Sequence, residues 1–371
     1  MKILHITPTL YPVVGGMETV IRELMLQLRG QGIVADAMHL APGNRTGRET
    51  LDQSTVWRFP LFPNRLIGVA PPIRSILLEY DLLHVHDAHG MAVSFNALLQ
   101  GRGRKKLLST HGGYFHTSQH SLIKTLHWRF IAQHVLASFD EVLASSSSDF
   151  EIYKTKAPHV KLVPNGVNVD KFFSVEHAGH IDPTRWLYWG RLAKNKRLDL
   201  LIDTVAQARD AGILIDLLIA GPDFDVLAPD LQTRIKALSL SSQVKLVGAL
   251  SESELLAEMA NRSVYATATE HEGFGLTLIE AMAGGLLVLC RDMPPLNGFV
   301  QDFVDGAFLK FDQSHSDLST IRRLCHSSPE ELLRMRQSAR QSSHSHSWDS
   351  VVTQYVKIYE NLMTQAGTSC L

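Results

Sequence analysis

Short apolar runs bounded by turn residues alternate along this chain with segments whose apolar positions recur every three or four residues. In the first half, residues 2–6, 34–40, 81–86, 106–110, 141–144 and 161–163 read as strands. Between the first two, the segment 17–30 gathers Val20, Ile21, Leu24 and Leu28 on one helical face and stops at Gly32. After a polar stretch at 175–184 the pattern restarts. Strands are expected at 186–190, 216–221, 244–247, 264–267 and 286–290, with helices at 197–211, 228–238, 252–259 and 277–283. Strands that alternate with helices imply mostly parallel sheets covered on both faces, so the fold class is α/β. A last helical pattern runs through 347–362.

Composition narrows the classes. With 371 residues and 45% hydrophobic content, the chain can form more than one core. A formal net charge of −1 gives no global attraction to nucleic acid, and none is expected as a partner. Cys290, Cys325 and Cys370 are widely spaced without a CxxC, which points to a reducing compartment and away from a disulfide framework or zinc site. No apolar run is long enough to cross a bilayer, and Met1-Lys2 leads straight into a strand. His84, His86 and His89 are the tightest histidine group, yet they sit on a buried strand and its end, a poor setting for a metal. Neither half carries GxGxxG, which weakens a dehydrogenase reading.

The densest chemistry lies in Glu272-Gly-Phe-Gly-Leu-Thr-Leu-Ile-Glu280. Gly273 and Gly275 precede a strong helix former, so the free amides of Phe274, Gly275, Leu276 and Thr277 stand where an anion fits. Glu272 lies ahead of that helix and Glu280 about one turn inside it. Two acids beside a phosphate pocket suit a sugar nucleotide, whose hydroxyl-rich ends flank a charged centre. Arg191 follows a strand and Lys196 lies five residues on, so both can reach one crevice at the strand ends and offset charge on a departing phosphate. Gly15 and Gly16 stand between the first strand and helix, where glycine backbone can approach a phosphate or an acceptor. Asp223-Phe-Asp225 has the form of a DxD metal site, but the loop and helix start that follow argue against that use.

These segments resemble retaining glycosyltransferases of family four. The likeness includes Gly15-Gly16-Met17-Glu18, 81–87, Thr110-His111-Gly112, 163–167, Gly190-Arg191 with Lys196, Glu272 with Glu280, and Ser347-Trp348, in the family's order. It implies the GT-B architecture, two Rossmann-like domains with parallel sheets facing across a cleft. The expected layout is an acceptor domain at 1–178, a nucleotide-sugar donor domain at 179–345, and a terminal helix at 346–371 that packs back on the first domain. Arg191 and Lys196 match the pair that contacts the donor diphosphate. Glu280 matches the residue on the ribose hydroxyls, Glu272 and His111 match contacts to the transferred sugar, and Asn165-Gly166 matches a linking turn. Domain closure is expected, with no cofactor and no metal.

The expected donor is a nucleotide diphosphate hexose. Residues 293–299, Met-Pro-Pro-Leu-Asn-Gly-Phe, are similar to those of α-mannosyltransferases that build exopolysaccharides, which makes GDP-mannose the leading donor. The implied acceptor is a polyprenyl-diphosphate-linked saccharide, and the implied place is the cytoplasm, peripherally on the inner membrane. The basic run Arg102 to Lys106 and the apolar stretch 121–139 could rest on anionic lipid, or could be an ordinary loop and packed helix. A UDP-sugar enzyme of the same fold and a non-catalytic sugar-nucleotide or glycan-binding protein are the alternatives.

Overall fold

The computed structural model describes residues 1–13, 15–64, 67–86, 92–112, 121–177 and 180–367. The chain divides into two compact units, one formed by Met1–Gly166 with Trp348–Leu371, the other by Val167–Ser347. The break falls at Gly166, not at 178, because Val167, Val169, Phe172 and Val175 are buried in the core of the second unit. Likewise the second unit runs on to Ser347, two positions past the expected end.

The strands of the first unit are β1 (Lys2–Thr7), β2 (Val34–Ala41), β3 (Gly47–Leu51), β4 (Ser54–Pro60), β5 (Leu82–His86), β6 (Lys105–Ser109), β7 (Glu141–Ala144) and β8 (Val160–Leu162). They form one sheet in the order β3-β4-β2-β1-β5-β6-β7-β8, parallel apart from the β3–β4 hairpin. The inner strands β1 and β5 are buried on both faces, with His5, His84 and His86 buried among their apolar residues. Helix Gly16–Gly30 buries Val20, Ile21, Leu24, Met25 and Leu28. The carboxyl-terminal helix Trp348–Gly367 buries Trp348, Tyr355 and Tyr359.

The second unit holds β9 (Arg185–Trp189), β10 (Asp216–Ala220), β11 (Val244–Val247), β12 (Val264–Ala266), β13 (Leu287–Cys290) and β14 (Gly306–Phe308). Their order is β11-β10-β9-β12-β13-β14, with the observed pairs parallel. That is the doubly wound order, in which connections leave the middle of the sheet in opposite directions. The resulting crevice opens at the carboxyl ends of β9 and β12. Ligands of open α/β sheets bind at such a point.

The hairpin β3–β4 and strand β14 are absent from the sequence reading. Strand β3 is polar and largely exposed, and β14 is three residues long, so neither produces an apolar run.

Candidate active site

Two loops meet at the carboxyl ends of β9 and β12. The turn Lys194–Lys196 is stitched to residues 269–271 through backbone and side chain. Glu270 N donates to Asn195 O at 2.9 Å, Asn195 Nδ2 to the carbonyl of His271 at 3.0 Å, and Thr269 Oγ1 to Asn195 O at 3.1 Å. This stitching brings Lys196 to Glu272, whose Oε2 accepts from Nζ at 2.6 Å. Both side chains are mostly buried, at 15% and 18% exposure, so the pair is less screened than a surface ion pair. Arg197 pairs with Glu270 and Asp199, which keeps the other acid of this loop away from Lys196.

Helix Leu276–Ala283 begins immediately afterwards. Gly275 is its amino-terminal cap at φ +101°, a left-handed conformation that a side chain would strain, and a Cβ there would come within 3.0 Å of Leu296. A glycine cap has no side-chain oxygen to occupy the first-turn amides, and the positive end of the helix dipole adds to their attraction for an anion. Thr277 Oγ1 shares a hydrogen bond of 2.8 Å with Tyr265 Oη. Glu280 accepts from the Trp189 indole at 3.3 Å, and burial pushes its carboxyl above the ordinary range against the pull of that bond and of Lys171.

Arg191 stands apart from the ion pair. Its guanidinium lies over the exposed ring of Phe224, 4.7 Å from the centroid, and its carbonyl accepts from Tyr188 Oη at 3.1 Å. Burial raises the Tyr188 phenol, and the Glu272 carboxylate adds to that shift while Arg191 opposes it, so the phenol lies within the field of both. Asp223 and Asp225 accept backbone N–H bonds from Leu227, Ala228 and Lys194. The DxD spacing thus serves a helix start and the neighbouring loop.

The Phe274 ring is 4% exposed and packs against Phe299 and His346, an apolar anchor for the turn whose amides are expected to meet the anion. The conformational reading of Gly15 and Gly16 needs correction. Gly15 has φ −165°, extended backbone open to any residue, and Gly16 is already helical. What crowds Gly15 is the Glu18 carboxylate, 2.5 Å from where a Cβ would stand. That acid supplies the negative charge favoured at a helix start, so a phosphate there would meet a like charge.

In the first unit, His111 lies just past β6 and His86 ends β5; His86 Nδ1 and His111 Nε2 are 2.8 Å apart. His5 and His84 complete a buried group with His86, their ligand atoms all within 4.8 Å of one another. His89 falls outside the described residues. Gly166 lies against the Trp348 ring, where a Cβ would clash at 2.3 Å. The basic run is used locally: Lys105 binds Asp140 at 2.9 Å, and Lys106 Nζ donates to the Arg104 carbonyl at 2.8 Å. Leu126, Phe130 and Ile131, by contrast, are more than half exposed.

Sequence reasoning missed Trp189, Tyr188, Tyr265 and Phe224. The signal was present in Trp186-Leu-Tyr-Trp189, an aromatic-rich strand ending directly at Gly190-Arg191.

The family model for glycosyl transferases group 1 matches residues 174–342, and that for glycosyltransferase family 4 matches 14–171. The chain belongs to glycosyltransferase family four. Among its relatives is the GDP-mannose:cellobiosyl-diphosphopolyprenol alpha-mannosyltransferase of Komagataeibacter xylinus, 28% identical over 99% of this chain and 94% of that one. The enzyme of the same description from Xanthomonas campestris is 25% identical, over 97% and 96%. The fold of this family-four glycosyltransferase is GT-B. Sucrose-phosphate synthase from Thermosynechococcus elongatus superimposes with a TM-score of 0.79 at 18% identity, covering 98% of this chain and 100% of that chain.

Proposed function

We propose that this glycosyltransferase moves mannose from GDP-mannose to a polyprenyl-diphosphate-linked saccharide, with retention at the anomeric carbon. The relatives from Komagataeibacter and Xanthomonas, matched along nearly the whole chain, support the donor and the acceptor class. The observation that carries the chemistry is the buried Lys196–Glu272 pair at the mouth of a helix capped by Gly275.

As the C1–phosphate bond breaks, charge grows on the departing diphosphate. In this reading Lys196, Arg191 and the amides of Leu276 and Thr277 stabilise it without solvent reorganisation. Glu280, an acceptor held by Trp189, suits the ribose hydroxyls, and Glu272 suits those of the sugar. Because Glu272 is engaged by Lys196, it is a poor nucleophile, which favours same-face attack. In that step the acceptor oxygen bonds to C1 on the face the phosphate leaves, and its proton passes to the leaving phosphate oxygen. In this reading the cations and the helix-start amides offset the diphosphate charge in place of a divalent metal, and both DxD acids serve backbone amides. Transfer is expected to persist in excess chelator.

No described helix is long and apolar enough to cross a membrane. The exposed Leu126, Phe130 and Ile131 beside Arg129 support a peripheral seat on the lipid that carries the acceptor, at the cytoplasmic face of the inner membrane.

The deciding assay offers purified enzyme and a polyprenyl-diphosphate disaccharide with labelled GDP-mannose or UDP-glucose, followed by product analysis. An α-linked mannosyl product is expected. Turnover of the UDP sugar with none from GDP-mannose would overturn the reading.

A further inference from the structure

The second unit carries a basic cavity at the end of its sheet opposite to Lys196 and Gly275. Arg185 opens β9 and Ser263 immediately precedes β12, so the amino ends of two strands frame it, and its lining also includes His177 and Arg336. The frame is stitched together: Asp182 N donates to Ser263 Oγ at 2.9 Å, Ser263 N to Arg185 O at 3.1 Å, and Arg185 N to Asp182 O at 3.1 Å. The cavity measures about 120 Å³. Water in the liquid takes about 30 Å³ per molecule, so there is room for a few waters or one small oxyanion. Pockets for larger ligands start at about 300 Å³, which rules out a second sugar nucleotide.

Arg336, on the helix Pro329–Ser343, is only 9% exposed, yet its guanidinium has no hydrogen-bond or ion-pair partner among the described residues, and its Nε is wholly buried. Buried charges are ordinarily paired. Its neighbours deepen the deficit. Arg340, one turn on, gives Nη2 to the Val175 carbonyl at 2.8 Å and keeps a buried Nε without a partner. A Cβ on Gly285 would stand 2.8 Å from Arg340 Nε, 3.2 Å from His177 Nε2 and 3.4 Å from Arg336 Cγ, so three basic side chains converge on one glycine. Burial, and after it the neighbouring Arg340, bring the Arg336 guanidinium down to about 10, which leaves it charged at neutral pH.

The groups at hand do not meet that charge. Asp182, the carboxylate on the wall among the described residues, turns to Thr184, accepting from its N at 3.0 Å and its Oγ1 at 2.7 Å. Arg262 is already matched by Glu258 at 3.1 Å and Asp216 at 3.5 Å. The carboxyl end of helix Leu276–Ala283 attracts cations, and the Gly284 carbonyl accepts from His177 Nε2 at 2.7 Å, but Arg336 bonds to none of its carbonyls. Ser263 Oγ, buried, accepts from Asp182, and its own proton has no acceptor among the described residues. We propose that the cavity binds a phosphate-sized oxyanion, held by Arg336, the Ser263 hydroxyl and the exposed Arg185 at its rim. A dianion there supplies the counter-charge and the acceptors that these donors lack. The ligand is inorganic phosphate or the phosphoryl end of a small metabolite. The site stands apart from the reacting groups and rests on no choice of donor.

The test is isothermal titration of the full-length enzyme with inorganic phosphate, in buffer free of phosphate and sulfate. A Lys196→Ala background removes phosphate held at the crevice on the other end of the sheet. Phosphate is expected to bind in that background. Adding Arg336→Leu should weaken it about tenfold or more, the effect of one charge-assisted hydrogen bond, and adding Arg185→Ala about threefold. Phosphate should also raise the melting temperature of the Lys196→Ala protein and leave that of its Arg336→Leu derivative unmoved. Absence of phosphate binding in the Lys196→Ala background would overturn the proposal. So would binding that neither arginine substitution weakens. If Arg336→Leu does not fold, Arg185→Ala decides, and an unaltered phosphate affinity there would be fatal. Glycerol phosphate, titrated in parallel, names the source: tighter binding than inorganic phosphate assigns the site to a phosphorylated metabolite, weaker binding to free phosphate.

Discussion

At the scale of single residues, Lys196 and Glu272 neutralise each other in one ion pair, and the proposed reaction gives them opposite ends of the donor. Replacing Glu272 by Gln should lower transfer about a hundredfold through lost contact with the sugar, while nucleotide affinity holds or rises because Lys196 is released to the diphosphate. Isothermal titration with GDP separates those effects, and weaker GDP binding would refute the division of labour. Lys196→Ala leaves a mostly buried carboxylate alone, so a stability loss of about 1–2 kcal/mol should accompany the kinetic defect. These two residues were legible because they fall in a dense motif with restrictive glycine spacing. Phe224 was not, since an aromatic residue in a loop looks the same whether it packs a core or carries a guanidinium.

At the scale of elements, the helix Leu276–Ala283 depends on one left-handed residue at its start. Gly275→Ala adds backbone strain of about 1 kcal/mol or more and pushes Leu296, tilting the amides at the helix start. Weaker GDP binding with only a modest drop in melting temperature is the expected pair of results; unaltered GDP affinity would mean the helix start makes no contact. The carboxyl-terminal helix offers a second case. Tyr359→Phe leaves His84 Nδ1 buried without its partner, which should cost about 1–3 kcal/mol in urea unfolding. The parallel strands and their helices were readable because full burial imposes long apolar runs and one-sided stripes. The β3–β4 hairpin was not, because its outer strand is polar and exposed and is held by backbone pairing and by the polar contacts of Glu49 with Arg58 and Arg48 with Trp57, which leave no apolar run. Nor was the boundary at Gly166: Val167 to Val175 holds only the short helix Val169–Phe173, and tertiary packing assigns it to the second core.

At the scale of the whole molecule, burial of neutral histidine couples folding to protons. His5 falls to about 3 and His111 to about 4, with His84 and His86 also well below 6.5, all through desolvation. Above the unfolded value near 6.5 neither state is protonated and the term vanishes. As pH falls from there toward 4, the unfolded chain takes up protons that the native state refuses, so stability declines. Urea midpoints between pH 7.5 and 5 should fall with a slope approaching uptake of about four protons by the first unit. A flat profile would mean that these rings are hydrated and protonated in the native state.

Val167 pairs with Ser347, and its amide donates to the His346 carbonyl at 2.8 Å, so the two ends of the second unit run side by side. Gly166 meanwhile touches Trp348, which brings the severed ends of the first unit together as well. Such a chain has the topology of a cassette inserted in a host. Residues 167–347, expressed separately, should fold and retain GDP binding, and the host, rejoined from Gly166 to Trp348 by a short glycine-serine tether, should fold without its guest.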